Sequence, residues 1–169
     1  MDNEIDVMAY DEALYVDCER TKASNATPNI QLATVNTKSE ENSGPVEKAV
    51  QYTGDKSKTN KLIGYNNSHK ITSDLIKNNI VSEYLYDIFR ERKTGIYAQQ
   101  NIYFVELWNK ISDGVYKARK LYAVSVIDKV SRDPGATVSF DCNFKGVNEF
   151  VDGTFNVATK TFTETAQSL

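Results

Sequence analysis

The sequence predicts a mainly β fold, a sandwich or barrel with one α-helix, and three observations carry that expectation. Residues 137–157 alternate: Val138, Phe140, Cys142 and Phe144 are apolar, while Thr137, Ser139, Asp141 and Asn143 are polar. Past Lys145 and Gly146 the parity flips, with Val151, Phe155 and Val157 set against Asp152, Thr154 and Asn156. That is the pattern of a β-hairpin with one apolar and one polar face. Second, Ser112-Asp113-Gly114 separates the strand-like runs "NIYFVELWNKI" and "VYKARKLYAVSVI", and Asp-Gly between such runs is a strong hairpin signal. Third, convincing helical spacing occurs only over about residues 79–93.

In chain order, residues 1–11 read as an N-terminal arm and residues 12–19 as a strand with Leu14, Val16 and Cys18 on one face. A second strand follows in "NIQLATVNT", with Ile30, Leu32 and Val35 as its apolar members. Residues 38–61 are rich in Ser, Lys, Glu, Asn and Gly. They read as a long polar loop, which in a compact domain is functional or disordered. "SHKITSDLI" reads as a strand leading into the helix, whose stripe is Ile80, Tyr84, Leu85, Ile88 and Phe89. Asn78, Asn79 or Ser82 suits its N-cap, Arg90, Arg92 and Lys93 its negative end, and Gly95 the residue beyond it. Next comes a run with Ile102, Phe104 and Trp108 on one face and Tyr103, Val105, Leu107 and Ile111 on the other. A strand apolar on both faces is central or lies at an interface. "SRDPGAT" predicts a turn, since Pro134 presets φ and Gly135 accepts a positive one. Residues 160–169 are left as a C-terminal tail.

With 169 residues the chain suits one domain. A net charge of -3 and a pI near 5.3 argue against a nucleic-acid binder held by a basic stripe. The first twelve residues hold five acids and no base, unlike a signal peptide, and no apolar run reaches membrane-spanning length. The expected setting is cytoplasmic, with no membrane. Cys18 and Cys142 share faces with apolar neighbours and read as buried free thiols rather than a disulfide or a zinc site.

Catalytic signals are poor. His69 sits in the polar stretch "NNSHKIT" and reads as a solvated loop residue. "GDKSKT" lacks the spaced glycines and the strand–helix frame of a phosphate loop. No paired acids and no His/Cys/carboxylate cluster has catalytic or metal spacing, so neither an enzyme nor a cofactor is expected. Among the ten tyrosines, Tyr97, Tyr103, Tyr116 and Tyr122 suit either a base-stacking platform or, as favoured here, subunit interface and core.

The segment "LYAVSVIDKVSRDPGATVSFDCNFKGVNEFVDGTFNV" resembles the closing part of major tail proteins, the tail tube proteins of phages with long non-contractile tails. A Gly-containing turn, a "TVSF" strand and a "V-x-GTF" strand carry the similarity. "ALYVDC", a long loop, "HKITSDLI" entering a helix and "IYFVELW" keep the same order upstream, and the length is similar to that of the lactococcal branch. The resemblance implies a virion protein, made in the host cytoplasm, that forms hexameric rings stacked into a tube. Its partners would be other copies of itself, the tape measure protein, the tail terminator and the distal tail protein. Double-stranded DNA would pass through the bore without being held. The long loop and terminal arms would join ring to ring.

Under that resemblance the polar positions Thr137, Ser139, Asp141, Asn143, Asp152, Thr154 and Asn156 become candidates for the lumen. They hold two acids and no base, and a bore lined by Lys or Arg would grip phosphate. Two alternatives stand beside this: a tube subunit of a related injection machine, and a nucleic-acid-binding β-barrel.

Overall fold

The structure, a computed structural model, describes residues 6–19, 27–54 and 56–165. Within them lie eleven strands: β1 (Glu12–Asp17), β2 (Ile30–Leu32), β3 (Asn36–Asn42), β4 (Pro45–Val50), β5 (Thr59–Tyr65), β6 (Ser68–Asp74), β7 (Gln99–Ser112), β8 (Val115–Ser131), β9 (Ser139–Gly146), β10 (Val151–Asn156) and β11 (Thr161–Glu164). One helix, α1 (Ile80–Arg90), lies between β6 and β7, and short 3-10 turns precede β1 and β7.

Nine strands form one antiparallel sheet in the order β2-β1-β7-β8-β9-β6-β3, with β10 and β11 continuing from β8. β8 is long enough to hold two strands end to end along one edge. β9 pairs with its second half, Ala123 to Ser131, and β10 with its first, Val115 to Lys120. Residues 137–157 are therefore not a hairpin. β9 and β10 run the same way along β8, separated by the break at residues 147–150, and neither pairs with the other. The true partner of β10 in a hairpin is β11, inside the segment expected as a C-terminal tail. Residues 1–5 of the expected N-terminal arm and residues 166–169 of that tail lie outside the described residues.

The sheet curls to opposite sides at its two ends. On one side His69 of β6 meets Phe104 of β7, ring centroids 4.6 Å apart, although two strands separate them. On the other, Phe162 of β11 meets Tyr103 of β7 at 5.5 Å, again across two strands. Each concavity encloses a core. The larger holds Val16, Ile71, Ile102, Phe104, Leu121, Phe140, Cys142 and Phe144, closed at one end by Val81, Tyr84, Leu85 and Ile88 of α1. The smaller holds Tyr15, Ile30, Tyr103, Val105, Ala118 and Phe155. β7 and β8 pass between the two, which is why β7 is apolar on both faces. The result is the expected β-sandwich with one helix.

Helix α1 is capped by Asn79, whose Oδ1 accepts from the Ser82 backbone N–H at 3.0 Å. Its buried stripe is rotated from the one expected: Val81 is buried, while Ile80 and Phe89 at the ends are exposed. The C-terminus is closed by Arg92 at φ 51°, not by Gly95. There the Lys93 N–H donates to the Ile88 carbonyl at 3.0 Å and the Arg92 N–H to the Phe89 carbonyl at 3.2 Å.

Residues 38–61 are not an irregular loop. They contain the end of β3, all of β4 and the start of β5, and β4 and β5 form a separate two-stranded sheet. This ribbon continues the β3–β6 pair outward past a kink, where the Asn66 N–H donates to the Gly44 carbonyl at 2.9 Å. Gly44, at φ 50°, fits that kink because a Cβ there would meet the Asn66 backbone.

Candidate functional site

Three surfaces stand out: the polar face of β9, the polar face of β10, and the β4–β5 ribbon. In β9 the alternation works as expected. Phe140, Cys142 and Phe144 enter the larger core, and Ser139, Asp141 and Asn143 face away from it. Thr137 lies exposed just ahead of the strand. In β10, Gly153 and Phe155 are buried, Phe155 in the smaller core, and Asp152, Thr154 and Asn156 point to the other face.

Register shows that these two polar sets lie on opposite faces of the sheet. Asn143 is opposite Val126 on β8, whereas Asp152 is opposite Arg119. Even- and odd-numbered residues of one strand point to opposite sides, so the seven residues do not share a surface.

The charges differ from the sequence expectation as well. Asp141 Oδ1 accepts from Thr72 Oγ1 at 2.7 Å, and its Oδ2 lies 3.3 Å from Lys70 Nζ. Lys129 is its register partner on β8. The Thr72 hydroxyl first, and then Lys70, hold this carboxyl below its ordinary value against the opposing effect of burial. With Lys38 opposite Thr72 and Lys145 two residues beyond Asn143, four lysines lie on a face whose acids are Asp141 and Glu40. The β9 face is thus mixed in sign and not an acidic stripe. Lys70 and Thr72 were legible as the polar half of "HKITS", but their pairing with Asp141 was not.

The β10 face leads to a different constellation. One row across the sheet runs Glu12, Glu106, Lys117, Thr154 and Thr163. Next to it, Arg119 donates through both terminal nitrogens to Glu41 on β3, at 3.1 and 2.9 Å, with Asp152 opposite it on β10. Its guanidinium also lies over the Phe150 ring, 4.7 Å from the centroid. Burial raises the Glu12 carboxyl above its ordinary value; Arg119 opposes this, and Glu41 and Glu106 add to it.

His69 is buried, in contrast to the solvated loop residue expected. It shares the inward face of β6 with Ile71 and Ser73. Its Nε2 is 2.8 Å from Ser39 Oγ, while Nδ1 has no hydrogen-bond partner among the described residues. Burial lowers its pKa to about 4. A Ser–His pair needs an orienting group on the second ring nitrogen and a base able to take a proton near neutrality, and this pair has neither. Cys18 and Cys142 are free and buried, as expected, and burial pushes the Cys142 thiol up to about 12. Tyr103 is packed against Phe155 and Phe162, so it offers no face to a stacking base.

The β4–β5 ribbon has no buried residue among those described. Val46, Leu62, Ile63 and Tyr65 stand exposed along it. A cleft of about 760 Å³ opens elsewhere, between the segment before β1 and the far end of β7. Its apolar walls include Val7, Met8, Tyr10, Leu32 and Trp108, all exposed.

No family model matches the chain, and no curated protein matches it. Solved structures do. The chain is similar to the subunit of the SPP1 tail tube, with a TM-score of 0.65 at 12% identity over 87% of this chain and 78% of that one. It is similar to a protein of the tail of an empty gene transfer agent particle, refined with C6 symmetry: TM-score 0.58, 11% identity, 94% of this chain and 99% of that one. A protein of the anti-feeding prophage baseplate gives a TM-score of 0.53 at 9% identity over 92% and 99%. At such identities the likeness is one of fold, and the fold of this chain is that of phage-type tail tube subunits.

Proposed function

We propose that this chain is a structural subunit of a phage tail tube, assembling as hexameric rings that stack around a bore through which double-stranded DNA passes. The observation that carries the reading is the fold match across 94% of this chain and 99% of a tail protein from a particle refined with C6 symmetry. The ribbon adds support, since an isolated two-stranded ribbon with exposed apolar side chains is marginal in water and gains from a partner. On this reading the protein resides in the virion, meets the tape measure protein inside the tube and the terminator and distal tail proteins at its ends, and does no chemistry.

Only one of the two polar faces can line the bore, and charge favours that of Asp152, Thr154 and Asn156. The row beside it carries Glu12 and Glu106, and carboxylates repel DNA phosphate. The four lysines around Asp141, Asn143 and Ser139 suit a contact between subunits better.

Electron microscopy of the purified protein tests the class: six-fold rings or tubes are expected. A protein that stays dispersed at high concentration and binds single-stranded DNA in a salt-dependent way is a binding barrel, and the proposal fails. The bore assignment is tested by Asp152→Lys. Tails should assemble and DNA ejection should slow; normal ejection puts this face outside. The likeness to the baseplate protein favours one second reading, a tube in an injection machine, for which assembled particles would carry no DNA.

A further inference from the structure

We propose that the cleft before β1 receives the β4–β5 ribbon of a second copy of this chain, an inference that rests on the tube reading for its biological setting. Three observations point to that occupant.

First, the cleft is apolar and open. Tyr10 is 75% and Trp108 45% exposed, and exposed aromatics grouped in a concave surface mark a protein contact. Second, the charges are complementary. Around the cleft, Asp6, Asp11, Glu12, Glu41 and Glu106 outnumber Lys38 and Arg119. The ribbon carries Lys48, Lys56, Lys58 and Lys61 against Glu47 and Asp55. An acidic apolar cleft and a basic apolar ribbon on one chain suit each other. Third, no residue of the chain's own ribbon lines the cleft, so a neighbour's ribbon is what fits. Each strand of the ribbon spans about 20 Å, enough to cross from one subunit to the next. A contact between two different patches of identical chains is head-to-tail, and it propagates into rings or filaments instead of closing as a dimer.

The contact can be isolated with two variants that each keep one half of it. In the first, residues 45–65 are replaced by two glycines, leaving the cleft. In the second, Trp108→Glu blocks the cleft and leaves the ribbon. Because the sequence has one tryptophan, the mixture fluoresces only from the cleft of the first variant. Each variant alone should sediment as a monomer. Mixed, they should form a 1:1 complex with blue-shifted Trp108 emission.

Two folded monomers with unchanged emission would overturn the assignment, circular dichroism establishing that both are folded. Should Trp108→Glu fail to fold, Tyr10→Glu serves as the blocked variant, with sedimentation as the readout. In the full chain, Lys48→Glu with Lys61→Glu should raise the concentration needed for assembly roughly tenfold; no change counts against the charge match. If the wild type makes six-fold tubes while the mixed pair stays monomeric, the cleft assignment falls and the tube reading stands. If the pair binds but the wild type makes no six-fold particle, the reverse holds.

Discussion

The centre of the sheet and the β4–β5 ribbon are built from the same antiparallel ladder, yet they differ in what lies on either side. Along β7, Ile102, Tyr103, Phe104 and Val105 are all buried, alternately in one core and the other. Along β4 and β5 no described residue is buried. Backbone hydrogen bonds give both regions their shape, but removal of apolar surface from water supplies most of the free energy, and only the centre has that. The body should therefore govern stability and the ribbon association.

The largest effect should come where both layers depend on one side chain. Phe104 is fully buried between β6 and the sheet, with the His69 ring 4.6 Å and the Phe150 ring 5.7 Å away. Phe104→Ala should cost about 3–5 kcal/mol in urea unfolding. A cost below about 1 kcal/mol would mean that the two layers are held elsewhere.

A smaller effect is expected from pH. Burial lowers the His69 pKa from 6.5 to about 4. Between those values the unfolded chain binds a proton that the folded chain does not, so stability falls as pH drops through the window and levels off below it. The full span is of order 3 kcal/mol. His69→Gln should flatten the unfolding midpoint between pH 4 and 6.5 relative to wild type; an unchanged slope would assign the loss to other groups.

The smallest effect on stability should follow loss of the ribbon. Excising residues 45–65 removes no core residue and reconnects the chain where Gly44 and Asn66 already touch. Stability should stay within about 0.5 kcal/mol of wild type, as for surface changes, while rings and tubes disappear. Residues 40–42 must be kept, because they pair with β6 and Glu41 holds Arg119. If tubes persist after excision, the division of labour between body and ribbon is wrong.

Much of the body was legible in the sequence. Alternation along Phe140, Cys142 and Phe144, the Asp113-Gly114 turn, the Pro134-Gly135 turn with its Ala136 N–H to Asp133 carbonyl bond, and the Asn79 cap all appear where local chemistry put them. His69 was missed because polar neighbours masked its place in the alternation of "HKITS", where it shares parity with Ile71. The ribbon was missed because its apolar residues are few and never buried, so no period stands out.

What the sequence by itself determined are properties with a range of a few residues: which side chains share a strand face, where a turn needs positive φ, and where a helix begins. These follow from the two-residue period of a strand and from capping at a helix end. What only the tertiary structure decided is which strand lies beside which. Thr72 meets Asp141 across 69 positions, and Arg119 meets Glu41 across 78. β9 and β10 share an edge of β8 although they read as a hairpin. Pairing depends on how the whole chain buries two cores at once. A shift of one residue in register moves a side chain to the other face of the sheet, and that is why the charge of each surface could not be read along a single strand.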